Sequence, residues 1–237
     1  MSTMPDAARY HPDDALLHQF VTGTLPMGMN LAVSAHVDCC QPCQERTSAT
    51  QDKASEDWFD TDFSPPAESL AEIFDAVVKQ PARPFTEAEP DSKAMQTLNL
   101  HGFSVRLPRV LAKLVGQKLQ WKEIASGIHQ ALLPVDLHTK CELIALDPGS
   151  EVPRHSHYGK ELMLVLDGNI TDDWDTYGPQ DLVMREQEDC HGQISAQGCV
   201  CLFVTDAPLR FTEGFYRLLN PLNRLQHWWS QRQSQMS

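Results

Sequence analysis

Three side chains that commonly bind metal ions, His155, His157 and Glu161, lie within seven residues of one another in the C-terminal half of the chain. The sequence around them is strand-like, and in a β-strand residues two apart point to the same face. His155 and His157 therefore share a face, and Glu161 can reach the same point after the intervening turn. His191, downstream of a turn at residues 177–179, is the candidate for a fourth ligand from a later strand.

Three imidazoles and one carboxylate suit zinc, iron, manganese, nickel or copper, and geometry rather than ligand type decides among these metals. The sequence therefore predicts a site for zinc or another divalent transition metal. The elements that must position it are short apolar alternations separated by turn residues, near residues 128–133, 141–146, 162–166, 182–184 and 199–205. Strands at this spacing, with Asp-Pro-Gly and Asp-Gly turns between them, predict an antiparallel barrel or jelly roll.

A second cluster near the N-terminus combines an imidazole with thiols, in His36, Cys39, Cys40 and Cys43. Zinc prefers this ligand mixture in closed structural sites. On a helix, His36 and Cys40 are one turn apart, and Cys43 lies three residues further on, within reach of the same ion. Cys39 is an alternative to Cys40, because it also lies at helical spacing from His36 and Cys43. The sequence predicts a zinc site here and leaves this choice open.

Two short helices would have to position the N-terminal cluster. The first begins near His11, with Pro12 in its first turn, and Gly23 ends it. The second runs from about Asn30 through the cysteines. A closed tetrahedron needs a fourth ligand, and His11 and His18 compete for it because either can face the second helix.

The rest of the N-terminal half changes composition twice. Residues 47–65 are polar with few aliphatic side chains, which predicts a connector or a weakly ordered surface strip. Residues 68–78 have the period of an amphipathic helix that could dock on a partner or on its own domain; its apolar stripe is Leu70, Ile73, Phe74 and Val77. Three prolines between residues 81 and 90 then mark a linker.

The charge of the chain restricts its partners. The 237 residues carry a formal net charge of -13, with a pI near 5.1. Direct binding of nucleic acid needs a basic surface and is therefore not expected, whereas a basic protein partner is favoured. No apolar run approaches the roughly 18 residues that span a bilayer, and residues 1–10 lack the features of a signal peptide, so we expect a cytoplasmic protein without a membrane partner.

The seven cysteines do not form the pattern of a secreted disulfide framework. Cys199 and Cys201 lie two apart in a predicted strand and could form a redox-sensing pair, as could either with Cys190. A buried strand cysteine is the commoner outcome, because same-face neighbours in one strand rarely meet disulfide geometry. Cys39 could likewise act as an oxidation trigger beside the zinc cluster, although a bystander role is the simpler interpretation.

The C-terminal motif resembles the first motif of the cupin superfamily, which is met at Gly149, His155, His157, Glu161 and Gly168. The second cupin motif is only partly met, by a glycine at 178 and a histidine at 191. The resemblance implies a jelly-roll barrel with a metal bound by the three histidines and the glutamate.

The N-terminal half is similar to zinc anti-sigma domains in the run from His11 to Leu17, in residues 22–25, and in the His36-x3-Cys40-x2-Cys43 motif. This resemblance selects Cys40 over Cys39 and implies His11 as the remaining zinc ligand. Joined to a cupin, and supported by the stretch at residues 199–211, the whole chain resembles the ChrR-type anti-sigma factors. The implied fold class is a small all-α zinc-binding helical domain at 1–80, a linker at 81–110 and an all-β cupin at 111–225.

The resemblance implies a non-enzymatic repressor that sequesters a group IV (extracytoplasmic-function) sigma factor. It also implies release on an oxidative signal such as singlet oxygen, with the cupin needed for that response. The alternative from the residues alone is a metal-dependent cupin enzyme, a dioxygenase or isomerase, whose metal keeps open positions for a substrate. Such an enzyme gives no reason for the N-terminal zinc cluster. Direct DNA binding by the zinc helices conflicts with the net charge.

Overall fold

The computed structural model describes residues 8–59, 67–79, 96–115, 119–187 and 189–212. The helices in these ranges are α1 (Asp14–Val21), α2 (Met27–Cys39), α3 (Gln41–Phe59), α4 (Ala67–Val78) and α5 (Arg109–Val115). The strands are β1 (Gln96–Leu100), β2 (Phe103–Leu107), β3 (Lys122–Ala125), β4 (Ile128–Leu133), β5 (Lys140–Leu146), β6 (Ser150–His157), β7 (Glu161–Gly168), β8 (Ile170–Thr171), β9 (Thr176–Tyr177), β10 (Leu182–Arg185), β11 (His191–Ser195), β12 (Cys199–Thr205) and β13 (Leu209–Phe211). Helices followed by an all-β domain confirm the predicted fold class. Residues 81–95 of the predicted linker, and 213–225 of the predicted cupin domain, lie outside the described residues.

Helix α1 begins at Asp14 rather than near His11, so Pro12 precedes the helix instead of lying in its first turn, whereas the stop at Gly23 is as predicted. The Asp13 carboxylate accepts a hydrogen bond from the Leu16 backbone N–H at 2.7 Å, which is an N-cap. Thr22 is the C-cap of the helix, and the following Gly23 has a φ of 67°, a conformation that glycine adopts without strain. Leu16 and Leu17 are buried, so α1 presents an apolar face to the core.

The predicted single helix through the cysteines is wrong. Helix α2 ends at Cys39, Cys40 is extended with φ -111° and ψ 103°, and α3 begins at Gln41. The reason is Pro42, because a proline ring in a helix interior clashes with the carbonyl group four residues earlier. At the second position of a new helix the ring is tolerated, so the chain breaks at Cys40.

The predicted connector at residues 47–65 is also wrong over most of its length, because α3 continues to Phe59. The low hydrophobicity of α3 is typical of a loop, but this helix contains neither glycine nor proline after Pro42. Two threonines bond back to the preceding turn, Thr47 Oγ1 to the Cys43 carbonyl at 2.6 Å and Thr50 Oγ1 to the Arg46 carbonyl at 2.8 Å. The amphipathic helix predicted at residues 68–78 is confirmed as α4.

The β domain consists of two antiparallel sheets. The larger has the strand order β10-β7-β12-β5-β4-β3, and the smaller has the order β13-β6-β11-β8-β9. All five predicted strand segments are present. The β1–β2 hairpin forms a separate two-stranded sheet.

The larger sheet is covered on both faces, which explains the continuous burial of β5, β7 and β12. Alternate residues such as Leu143 and Leu202 join one apolar cluster with α1, α2, α5 and the β1–β2 hairpin. The residues between them, such as Ile144 and Phe203, form a second cluster inside the barrel. Helix α2, which carries the predicted ligand His36, therefore packs directly on the barrel that carries the other predicted ligands.

Helix α2 approaches the barrel closely at Gly28. Its backbone N–H donates to Asp136 Oδ2 at 2.9 Å, and a Cβ at this position would overlap with the side chains of Thr139 and Cys141.

Among the described residues, no helix is long and apolar enough to cross a membrane.

Candidate metal centres

The N-terminal cluster is assembled from four positions that differ in local structure. His11 precedes α1, His36 lies in the last turn of α2, Cys40 occupies the break, and Cys43 lies in the first turn of α3. The Cys43 Sγ atom lies 3.3 Å from His36 Nε2 and 3.5 Å from His11 Nδ1. His11 Nδ1 lies 3.4 Å from both Cys40 Sγ and His36 Nε2.

These separations match those of a zinc site. Ligand nitrogens about 2.05 Å, and sulfurs about 2.3 Å, from a tetrahedral ion lie roughly 3.3 to 3.8 Å from one another, and nitrogen–nitrogen or nitrogen–sulfur pairs lie roughly 3.3 to 3.6 Å apart. The break at Cys40 makes this possible, because it turns Cys40 and Cys43 toward the imidazoles that precede them. The predicted set of His11, His36, Cys40 and Cys43 is therefore brought together.

The two alternatives that the sequence left open lie elsewhere. The side chain of His18 is exposed, and Cys39 Sγ donates to the Ala35 carbonyl at 3.1 Å, away from the cluster. Burial raises the pKa of the Cys39 thiol to about 12, which makes it a poor nucleophile and a poor ligand where it lies.

The electrostatics of the N-terminal cluster suit a bound cation. Burial lowers the pKa of His36 to about 4, so its imidazole is neutral and can bind a metal. His36 Nδ1 donates to the Gln180 carbonyl at 2.7 Å, which leaves Nε2 directed at the cluster. Burial raises the pKa of Cys43 to about 11 in the absence of a cation, and an ion would stabilise the thiolate instead.

The second cluster lies inside the barrel. His155 and His157 come from β6, Glu161 from the start of β7 and His191 from the start of β11, and each is at most 2% exposed. Register pairs His191 with His155 across β6 and β11. His157 Nε2 lies 3.1 Å from His191 Nε2, and Glu161 Oε2 lies 3.7 Å from His157 Nδ1. All four predicted residues therefore converge.

This cluster also lacks the partners that its polar atoms need. Among the described residues, His157 Nδ1 and Glu161 Oε1 are buried without a hydrogen bond. Burial lowers the pKa of His155 to about 4 and that of His157 to about 3, and raises that of Glu161 to about 8. Neutral imidazoles around a buried carboxylate form a site that a divalent cation would complete.

A group of side chains that sequence reasoning missed lies behind His191. Asp172 Oδ2 lies 3.4 Å from His191 Nδ1, and Asp172 also accepts hydrogen bonds from Arg185 at 2.8 Å and from the Tyr177 hydroxyl at 3.0 Å. Burial opposes ionisation of Asp172, but the hydrogen bond from Arg185 and two backbone N–H groups lower its pKa. An ionised carboxylate behind a ligating histidine orients the ring.

The same group continues to the N-terminal cluster. The ring of Tyr10, next to His11, packs edge-to-face on Tyr177 at 4.8 Å between centroids, and the Tyr10 hydroxyl donates to Asp175. The backbone N–H of Tyr10 donates to Asp181 at 3.0 Å, beside the Gln180 carbonyl that holds His36. The segment from 172 to 185 thus touches ligands of both clusters.

A cavity of about 370 Å³ opens beside the barrel cluster and is partly lined by His155 and Glu161. Its walls are apolar at Ile144, Phe203 and Phe211, with polar groups at Gln193 and Glu142 among others. A small organic molecule could therefore reach the metal ligands.

Comparison with known proteins identifies the family. Residues 113–210 match the model of the ChrR cupin-like domain. Over 223 residues the chain is 32% identical to anti-sigma-E factor ChrR of Cereibacter sphaeroides, an alignment that covers 92% of this chain and 99% of that protein. The chain belongs to the ChrR family of anti-sigma factors.

Structural comparison agrees with this assignment to the ChrR family. A chain in the crystal structure of Rhodobacter sphaeroides SigE in complex with the anti-sigma factor ChrR superposes with a TM-score of 0.66 at 28% identity. The superposition covers 84% of this chain and 100% of that one. The resemblance to ChrR-type factors that the sequence motifs suggested is confirmed.

The cysteines of β12 lie within the ChrR cupin-like region. Cys199 and Cys201 are buried, and their sulfur atoms are 3.9 Å apart. Cys190 lies apart from them, with its sulfur 3.3 Å from Thr212 Oγ1. A redox role for any of these thiols stays a prediction.

Proposed function

We propose that this protein is an anti-sigma factor that binds a group IV (extracytoplasmic-function) sigma factor and thereby represses the genes that this sigma factor transcribes. The observation that carries the proposal is the full-length match to an anti-sigma factor, which includes the N-terminal helices as well as the cupin. A solved relative is itself in complex with a sigma factor. The net charge of -13 favours a basic partner surface.

The apolar face of α4 is the part of the surface that best suits the sigma factor. Phe74 is 69% exposed and Ile73 is 59% exposed, and Leu70, Val77 and Val78 are also at least half exposed. Within the described part of the chain this stripe is left uncovered, and acidic residues such as Glu72 and Asp75 flank it. An apolar centre with a charged rim is the usual anatomy of a protein interface.

A test of this surface uses Phe74→Asp. Because the side chain is 69% exposed and joins no core among the described residues, we expect unchanged thermal stability and an affinity for the sigma factor at least about tenfold lower. Glu72→Gln on the flank is the matched control and should change affinity little. Equal affinity of Phe74→Asp and the unaltered protein would remove α4 from the interface.

In the N-terminal cluster, we propose that the bound ion is Zn²⁺, held by His11, His36, Cys40 and Cys43. The donor set and the separations near 3.3 to 3.5 Å support this assignment. The ion would join the segment before α1 to the break between α2 and α3. A structural zinc contributes on the order of 10 kcal/mol to folding of such a unit.

The experiment is to co-express the protein with a group IV sigma factor, measure complex formation by size exclusion and measure bound zinc. His36→Ala and Cys40→Ala should lose zinc at this cluster and free the sigma factor in a reporter assay. Cys39→Ala is the matched control, since its thiol is adjacent in sequence but lies outside the cluster. Full repression by His36→Ala at an equal protein level would contradict the proposal.

In the barrel, we propose that zinc or another divalent transition metal, bound by His155, His157, Glu161 and His191, belongs to a sensor for an oxidative signal such as singlet oxygen. The buried, unpaired atoms of the cluster support a bound ion, and the adjacent cavity supports access to that ion for a small molecule. Substitution of His157 should retain repression and blunt the release by the oxidant. Loss of sigma binding would instead place the barrel in the interface.

We further propose that the segment from 172 to 185 connects sensing to release. It contacts His191 of the barrel cluster through Asp172, and His36 of the zinc cluster through the Gln180 carbonyl. Tyr177→Phe removes the hydroxyl that bonds Asp172 and Arg185 but keeps the ring against Tyr10.

Tyr177→Phe should leave both metals and basal repression in place and weaken the response to oxidant. Tyr158→Phe, at an exposed tyrosine, is the control. An unchanged response in Tyr177→Phe would show that the signal takes another route.

A metal-dependent enzyme is the competing function, and only the cavity beside His155 favours it. The full-length relative is an anti-sigma factor.

A further inference from the structure

A third group of metal-binding side chains lies outside both clusters and was not predicted. His101 comes from the turn of the β1–β2 hairpin, His129 from β4, and Asp147 directly follows β5. One ligand atom from each of the three lies within 4.8 Å of the others. His129 Nε2 lies 3.2 Å from Asp147 Oδ2, and the two imidazole rings are 3.7 Å apart between centroids.

The hairpin turn directs His101 toward this group. His101 and Gly102 both have positive φ, 48° and 86°, as in the two-residue turns that match strand twist. Histidine is among the residues that tolerate this conformation better than most. The turn is held by a hydrogen bond from the Gly102 N–H to Asn99 Oδ1 at 3.0 Å, and the His101 ring also lies 5.4 Å from that of Trp121.

We propose that His101, His129 and Asp147 form a third, solvent-accessible site for a divalent transition metal such as Zn²⁺, Ni²⁺ or Cu²⁺. Two imidazoles and a carboxylate are suitable donors for these ions. The separation of 3.2 Å between His129 and Asp147 is close to the roughly 3.3 Å between ligand atoms about 2.05 Å from a tetrahedral ion.

This site differs from the other two in its access to solvent and in the structural elements that it links. The Asp147 side chain is 50% exposed and His101 is exposed, so an ion can enter from solution without opening the fold, and water can complete its coordination. A bound ion would link the hairpin turn to β4 and to the end of β5. The hairpin is otherwise attached through its apolar side chains, including Leu100 and Val105.

The test measures metal stoichiometry on the full chain without a polyhistidine tag. Wild-type protein, first equilibrated with zinc and desalted, is titrated with Zn²⁺ and separately with Ni²⁺ by calorimetry, and its melting temperature is recorded. We expect one equivalent more in the wild type than in His101→Asn or Asp147→Asn, together with a rise in melting temperature that both variants lack. His138→Asn, an exposed histidine elsewhere, should behave as wild type.

His101→Asn keeps a residue that accepts positive φ, so the hairpin turn should be preserved, and retention of the metals in the other two clusters serves as the check on folding. The proposal is overturned if the wild type takes up no additional equivalent, if uptake requires millimolar metal, or if both variants retain it. None of these outcomes depends on sigma binding, so the proposed function is tested separately.

Discussion

Replacement of Gly28 by alanine separates two opposite expectations. Helix propensity alone predicts that an alanine within α2 stabilises the protein by about 1 kcal/mol relative to glycine. The packing of α2 on the barrel predicts the reverse. A methyl group at this position would lie 3.0 Å from Thr139 Cβ and would overlap with Thr139 Oγ1 and Cys141 Sγ.

The magnitude follows from what must move. Normal contact between carbon atoms is about 3.5 to 4.0 Å, so α2 must shift away from β5 by roughly 0.5 to 1 Å or more. Overpacking of this kind costs about 1 to 3 kcal/mol. The shift would also lengthen the hydrogen bond from the Gly28 N–H to the Asp136 carboxylate, a charged bond worth about 1.5 to 3 kcal/mol. Against the gain of about 1 kcal/mol, we expect a net destabilisation of roughly 1 to 3 kcal/mol.

Urea unfolding of the full chain, loaded with metal in each case, measures this difference. Ser34→Ala in the same helix is the control for propensity and should change stability by less than about 0.5 kcal/mol. Removing the obstructing atoms with Thr139→Ala and Cys141→Ala should reduce the effect of Gly28→Ala in a double-mutant cycle. An increase in stability for Gly28→Ala would refute the close packing of α2 on the barrel.

Three further predictions concern titratable side chains. Burial raises the pKa of Glu161 from 4.5 to about 8, so in protein whose barrel cluster holds no metal this residue should contribute a loss of stability as the pH rises through that window, by about 2 to 3 kcal/mol between about pH 5 and 7. The lowered pKa values of His155 and His157 act in the opposite direction, so the contribution is measured as a difference between variants. Urea unfolding should show that Glu161→Gln changes the pH dependence by this amount while exposed Glu151→Gln leaves it as in the unaltered protein; the same pH dependence in all three would contradict the burial argument. His36 is neutral in the folded state, with a pKa lowered from 6.5 to about 4. Zinc should therefore be released to a chromophoric chelator as the pH falls through that range, because protons then compete for the ligand atoms. Retention of all zinc below about pH 4 would contradict the assignment. The Asp181 carboxylate accepts hydrogen bonds from the backbone N–H groups of three residues. Asp181→Ala should therefore lower the free energy of unfolding in urea by about 2 to 4 kcal/mol. A decrease below about 0.5 kcal/mol would show that Asp181 does not hold the N-terminal segment on the barrel.

Much of this architecture could be predicted because its signals are local. A strand places His155 and His157 on one face whatever the rest of the chain does, and the alternation of apolar residues marked the strands for the same reason. The His36, Cys40 and Cys43 spacing likewise indicated a zinc site, although the path of the chain between them was wrong. Pro42 was the available signal for the break at Cys40.

Other errors arose where composition was ambiguous. Helix α3 is polar, and its sequence differs from that of a loop mainly in lacking glycine and proline after its first turn. A long polar helix is stabilised by tertiary contacts, here with α1 and α2, that cannot be read from the sequence. The polar composition alone therefore predicted a connector.

The sequence by itself determined which residues of the first two clusters could bind metal and which segments would form strands, because residue type and period along the chain are local properties. Only the tertiary structure decided which other distant residues meet: the Gln180 carbonyl beside His36, Asp172 behind His191, and His101 beside His129. These contacts join residues separated by many positions, and their geometry depends on how α2 and the hairpin pack on the barrel. The link between the two metal clusters through residues 172–185 is likewise a product of that packing.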